Sequence, residues 1–186
     1  IEGKSDYFDD YVRRYTDVPN LVLLEVHSNG YLVPGRYLRA SDLLNQAGQE
    51  NQADWKTLAF DENCEGIVVP RGSIGFRWGE KEKLWNLEAR TAGGEDTRLA
   101  LSQIKHADGA AEVGFPYFGG GGNAHWTQTE HNPIQLRKVP VRHVQLADGK
   151  TARVASVFDL MAANYGIDRG LGGDNVAASY DDDIPY

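Results

Sequence analysis

Leu136-Arg-Lys-Val-Pro-Val-Arg-His-Val-Gln-Leu146, then Asp148-Gly149, then Thr151-Ala-Arg-Val-Ala155 is the stretch from which the fold can be read. Two β-rich runs separated by an Asp-Gly pair predict a tight hairpin, because Gly149 supplies positive φ without a Cβ clash. Ser156 follows as a helix cap, with Asp159 three residues later as in a capping box. The helix then runs to Tyr165, and Gly166 supplies a left-handed stop.

The same signals recur toward the N-terminus. Ser5 to Thr16 reads as a helix capped by Ser5, with Tyr7, Phe8, Tyr11, Val12 and Tyr15 on one stripe. Pro19 ends it. Leu21 to Val26 is a dense β-rich run, Asn29-Gly30 a turn, and Tyr31 to Val33 the return strand. Ser41 caps a short helix over 41–44, and Asn45 to Asp54 is a loop or frayed helix end. Trp55 to Phe60 and Gly66 to Val69 read as strands around the turn 61–65. Pro70-Arg-Gly72 breaks the pattern, and Ile74, Phe76 and Trp78 alternate as in a half-buried strand. Ala110 to Phe118 has strand character, and Gly119–Gly122 is a flexible loop. The expected class is α+β, with antiparallel hairpins flanked by an N-terminal and a C-terminal helix. Residues 1–186 form one domain or subdomain. The Gly- and Asp-rich stretch 168–186 has few apolar anchors and reads as a weakly held tail.

Composition narrows the function. A chain of 186 residues with 41% hydrophobic and 25% charged residues can build a real core. A net charge of −8 argues against a general nucleic-acid binder, which needs a basic face. No apolar run approaches the roughly 20 residues that span a bilayer, and Ile1-Glu-Gly-Lys-Ser-Asp6 lacks the apolar core of a signal peptide. The first residue is Ile1 rather than Met. That fits a segment cut from a longer chain, and equally processing or added residues.

Several residue types invite a chemical reading. Histidines stand at His27, His106, His125, His131 and His143, with Glu130 near two of them. No His-Glu-x-x-His pattern and no Cys/His pair gives them metal-ligand spacing. Gly119–Gly122 leads into Asn123-Ala-His-Trp126 instead of the Gly-Lys-Ser/Thr of a phosphate-binding loop. Ser73 follows Gly72 directly, which departs from the Gly-x-Ser-x-Gly nucleophile elbow. Cys64 lies between Glu62 and Glu65, whose charge disfavours the thiolate. Asp181–Asp183 reads as a solvated acidic loop. Trp78, Trp85, Trp126 and the tyrosines read as core or interface packing in preference to a stacking face. The residues themselves thus nominate no catalytic, cofactor-binding or metal site.

A family resemblance adds what the residues alone do not. Tyr7-Phe-Asp-Asp-Tyr-Val-Arg-Arg-Tyr-Thr-Asp-Val-Pro-Asn-Leu-Val-Leu-Leu-Glu25 resembles a segment inside the catalytic alpha subunit of respiratory, membrane-bound nitrate reductase. Gly72–Glu80, Trp85–Glu88, Glu112–Phe118 and Ala178–Tyr186 resemble the same subunit. That family belongs to the molybdopterin oxidoreductases of the dimethyl sulfoxide reductase superfamily. The resemblance implies an interior structural segment of an enzyme that reduces nitrate to nitrite. It further implies a parent subunit holding molybdenum bis(pterin guanine dinucleotide) and one 4Fe-4S cluster. Implied partners are the remainder of the alpha subunit, an iron–sulfur beta subunit and a haem membrane subunit that draws electrons from quinol. The complex would be membrane-associated, with the alpha subunit on the cytoplasmic face. No stretch matches the family's cluster or molybdenum ligands, so the isolated chain is expected to be inactive on nitrate and to purify without molybdenum, iron or zinc. The alternatives are a free-standing binding module of related ancestry and a small hydrolase using Ser73 or a histidine.

Overall fold

A computed structural model describes residues 5–43, 53–70, 78–79, 84–85, 91, 94–116, 134–167 and 169–171. Helix α1 spans Ser5–Tyr15 and α2 spans Val157–Asn164. The strands are β1 (Leu21–Val26), β2 (Leu32–Tyr37), β3 (Ala59–Asp61), β4 (Gly66–Val68), β5 (Trp78–Gly79), β6 (Leu84–Trp85), β7 (Gly109–Pro116), β8 (Ile134–Gln145) and β9 (Thr151–Ser156).

Five strands close into a barrel in the order β1-β2-β7-β8-β9, with β9 returning to β1. A ring with an odd number of strands cannot alternate direction all the way round, so one pairing must be parallel. That pairing is β2 with β7, made at Leu32 and Val113. The long connection from β2 to β7 is the crossover that a parallel pair demands. The α+β class is loosely compatible with this architecture. The β1–β2 and β8–β9 pairs are antiparallel, and both belong to the one closed sheet.

The barrel interior is filled from every strand: Val22, Leu24, Leu32, Val113, Phe115, Val139, Val141 and Ala155 form one buried cluster, joined by Leu160 and Ala163 of α2. Leu21 and Leu23 point the other way, into a second cluster with Leu38, Leu58, Val69, Val144 and Val154. The unbroken Leu-Val-Leu-Leu of β1 is therefore buried on both faces, which explains why it does not alternate. The segment after β2 is locked there by a ring of backbone hydrogen bonds. Leu38 N donates to Leu21 O (2.8 Å), Leu58 N to Leu38 O (3.1 Å), and Leu21 N to Leu58 O (2.8 Å). All three leucines are fully buried.

Local chemistry sets the turns. Gly30 and Gly149 sit at φ 89° and 83°, at the tips joining β1 to β2 and β8 to β9. Asp61 Oδ1 accepts from Asn63 N (3.0 Å) and Arg98 N (2.9 Å), which shapes the β3–β4 turn. The β1–β2 register slips by one residue between the Leu24–Pro34 and Val22–Tyr37 pairs, and within that interval a Cβ on Gly35 would meet Glu25 Oε1 at 2.5 Å. At the end of α2, Gly166 N donates to Ala163 O (2.9 Å) and Ile167 N to Ala162 O (2.9 Å), with Gly166 at φ 68°. That is a Schellman stop.

Some expectations shift. Ser5 lies within α1 rather than ahead of it, and Tyr11 is 47% exposed. Ser41 lies inside a single 3₁₀ turn, Ala40–Asp42, that begins after Arg39. Trp55 ends another such turn, Ala53–Trp55, and is 77% exposed instead of starting a strand. Ile74, Phe76, Gly119–Gly122 and all of 168–186 except 169–171 lie outside the described residues.

Gly149 has open space around its Cβ position, so only its backbone angle resists a side chain. Gly149→Val should therefore destabilise the fold by about 1 kcal/mol. Urea unfolding followed by circular dichroism measures it; a neutral result would mean that the turn relaxes freely.

Candidate functional site

The most connected polar cluster surrounds Asp159, which is 1% exposed at the start of α2. Its Oδ2 accepts from Ser156 Oγ (2.8 Å) and from Gln103 N (2.7 Å), and its Oδ1 accepts from Arg169 Nη2 (2.6 Å). Ser156 Oγ in turn accepts from Asp159 N (3.1 Å), as an N-cap should. Arg169 also donates to Ser102 Oγ (2.6 Å), and its guanidinium lies 5.2 Å from the Phe158 ring centre. The Asp159 carboxylate does not reach back to close a capping box. It gathers the loop at 102–103 and the chain beyond Gly166 onto the helix. Three donors from separate parts of the chain meet on this fully buried carboxylate, so the cluster is a clamp. Both polar atoms of the fully buried Gln103 side chain have no hydrogen-bond partner among the described residues.

The described histidines, His27, His106 and His143, each have separate neighbours. His27 stacks on Tyr31 with ring centres 4.9 Å apart. His106 lies 4.7 Å from the Phe60 ring and 3.7 Å from Glu62 Oε1, a carboxylate already engaged by Arg98 Nε at 2.9 Å. His143 Nδ1 is 3.4 Å from Asp108 Oδ2, which accepts from the His143 backbone N at 2.6 Å and is held below the usual carboxylate range by that bond. Among the described residues, no three His, Cys, Asp or Glu side chains group closely enough to hold a metal ion. Ser28 Oγ is 3.4 Å from His27 Nδ1, beyond the roughly 2.6–3.2 Å of an activated nucleophile. Ser73, Gly72, His125, Glu130, His131, Trp126, Gly119–Gly122 and Asp181–Asp183 lie outside the described residues.

Cys64 is exposed on the β3–β4 turn. Its thiol pKa is raised by partial desolvation and then by Asp61, which accepts its hydrogen bond. The direction is the one expected, but the acid responsible is Asp61 and not Glu62 or Glu65.

Sequence reasoning gave no hint of a groove between α2 and the barrel. It encloses about 550 Å³. One wall is Val157, Leu160, Met161 and Asn164, spaced i, i+3, i+4, i+7 as one helix face requires; Val22, Tyr37 and Phe115 form the other. Only the helix wall's period was visible in the sequence. The Tyr37 hydroxyl donates its proton to Asp17, so it has none to offer a ligand.

Burial, and then the Asp17 carboxylate, push the Tyr37 phenol up from 10.0 to about 12. The fold thus holds this proton more tightly than the unfolded chain does. The resulting stability is present below the ordinary value of 10.0 and is lost as pH rises toward about 12. The stability difference between the native chain and Tyr37→Phe should shrink across that window. Urea midpoints of both proteins at about pH 9 and about pH 11 check this; a constant difference would mean that Tyr37 ionises normally.

Comparison with known proteins places these observations. No family model matches the chain. The chain is 56% identical over its whole length to the respiratory nitrate reductase 1 alpha chain of Escherichia coli (strain K12), covering 15% of that protein. It is 50% identical to the respiratory nitrate reductase 2 alpha chain of the same organism, again covering 15%. To the nitrate reductase alpha chain of Bacillus subtilis (strain 168) it is 34% identical, covering 14%. The chain thus spans about 15% of the length of the curated relatives it matches. With every residue aligned at this level of identity, the chain belongs to the nitrate reductase alpha-chain family, as a segment of that subunit.

Proposed function

We propose that the chain is a structural segment of an alpha subunit whose whole polypeptide reduces nitrate to nitrite. The supporting observation is the 56% identity that runs through the entire chain while covering only 15% of the relative. The Asp159 cluster agrees with a scaffold role, because its hydrogen-bonding capacity is spent on holding loops together.

The subunit family implies molybdenum bis(pterin guanine dinucleotide), a 4Fe-4S cluster, and an electron path from quinol through iron–sulfur and haem subunits. The residues described here do not fit those groups. A four-iron cluster takes four thiolates, whereas this chain has one cysteine, whose thiol is held in its neutral form. The buried carboxylate of Asp159 is occupied by Ser156, Gln103 and Arg169. No redox step is therefore assigned to these residues; their part is to hold shape. Among the described residues no helix is long and apolar enough to cross a membrane. Membrane association would come through the other subunits.

The deciding observation is the length of the native reading frame. A frame on the order of a thousand residues, far beyond one domain, is expected; one that ends with this chain overturns the reading. In the whole subunit, Arg169→Met should lower the yield of assembled enzyme and leave the KM for nitrate of the surviving fraction unchanged. A changed KM at full yield would instead place this segment at the substrate.

A further inference from the structure

We propose that the groove between α2 and the barrel seats an apolar segment of the alpha-chain polypeptide lying outside these 186 residues. The inference rests on the alpha-subunit reading and goes beyond it by naming the surface used and the chemistry that fills it.

The helix wall is where the observations begin. Leu160, Ala162 and Ala163 are 7%, 6% and 4% exposed, as residues of a packed helix should be. Met161 on the same helix is 46% exposed and lines the groove. Tyr165 and Ile167, just past it, are 60% and 53% exposed. Three large apolar side chains are exposed within seven positions, Met161 in the groove and Tyr165 and Ile167 just past the helix, as at an interaction site. Met adapts its shape to the surface it meets.

The polar groups say what kind of occupant fits. A small-molecule site needs a few convergent polar groups on apolar walls. Here the Tyr37 phenol is spent on Asp17, and the Arg36 guanidinium is spent on a bidentate pair with Asp42 at 2.6 Å to each oxygen. The Arg39 guanidinium, on the same rim, donates to the Asp54 carbonyl at 2.6 Å and also feels the Asp42 carboxylate that Arg36 engages. With these polar groups engaged within the chain, an apolar segment complements this lining. A second copy of the chain fits less well, because each copy carries a net charge of −8. The rest of the polypeptide is abundant, since the chain covers only 15% of its relatives.

The test uses Cys64→Ser to remove the chain's one thiol and Met161→Cys to place a reporter in the groove, with labelling read at position 161 by peptide mass spectrometry so that other thiols of the subunit do not count. Maleimide labelling rates are compared between the 186-residue chain and the whole alpha subunit, each scaled to its rate in urea. The expected result is labelling slower by about tenfold or more in the whole subunit, as burial against neighbouring chain gives. Equal rates in the two would overturn the proposal while leaving the alpha-subunit reading intact. Protection in the short chain that grows with its concentration, with a dimer in sedimentation, would make the occupant a second copy and also overturn it. A second variant guards against misfolding: Met161→Lys should leave the melting temperature of the short chain unchanged and lower that of the subunit. A native reading frame ending with this chain would remove the alpha-subunit reading, a failure visible before any labelling.

Discussion

Replacing Arg169 by methionine should cost the fold about 3 kcal/mol, the lower end of the range for breaking a buried ion pair. The loss comes less from the missing contact than from what it leaves behind. The Asp159 side chain is fully buried, and Arg169 is the one cation among the three donors on its carboxylate. Methionine fills much of the space over Phe158 but gives no donor, so the carboxylate retains Ser156 Oγ and Gln103 N and loses its counter-charge. Those two remaining bonds are why the lower end applies. The partner variant sharpens the test. In an Asp159→Asn background the buried charge is already gone, so Arg169→Met should cost clearly less than it does alone. A double-mutant cycle in urea, followed by circular dichroism, reads the coupling directly. Additive costs would mean that the two groups do not sense each other, and the clamp would be refuted.

The clamp also shows where sequence reading stopped. Ser156, Asp159 and Gly166 were legible because caps and stops are local chemistry, decided within three or four residues. Asp159 looked like the second half of a capping box because spacing cannot report which way a carboxylate turns. Arg169 stood in a Gly- and Asp-rich stretch that promised little anchoring, yet Gly166 turns the chain back and brings it to Asp159. An arginine soon after a helix stop, with a carboxylate in the first turn of that helix, was the available signal. The barrel was hidden for a different reason. Each antiparallel contact between strands joined by a tight turn carries its own marker, such as Asn29-Gly30 or Asp148-Gly149. The parallel contact that closes the ring is one residue pair, Leu32 with Val113, brought together across a long crossover. Nothing local encodes it. Leu21–Val26 hinted at it, since a strand apolar on both faces needs a layer on each side. The groove was harder still, because its two walls come from distant parts of the chain.

The same long-range logic makes Phe60 the residue whose truncation should do most damage. Phe60→Ala is expected to cost about 4 kcal/mol, within the roughly 3–5 kcal/mol of a large aromatic deletion. Phe60 is 1% exposed on β3, outside the barrel. Its carbonyl accepts from Ala100 N at 2.9 Å, which ties the strand to the loop that carries Gln103 and His106. The His106 ring packs 4.7 Å away, and the Arg142 guanidinium of β8 lies 4.1 Å from the Phe60 ring centre. Arg142 Nη1 also donates to His106 O at 2.5 Å. Phe60 therefore pins the β3–β4 pair and the 99–106 loop to the barrel wall at one point. Two components of its contribution are separable. Phe60→Leu keeps most of the apolar burial and removes the π face, so it should cost only about 1–2 kcal/mol, from reshaping and the lost cation–π contact. Pairing it with Arg142→Met in a double-mutant cycle should give a coupling of about 1 kcal/mol. A coupling indistinguishable from zero would mean that Arg142 gains nothing from the ring. A Phe60→Ala cost below about 1.5 kcal/mol would mean that the outer layer collapses to fill the space. The pin would then be only one of several weak contacts holding that layer to the barrel.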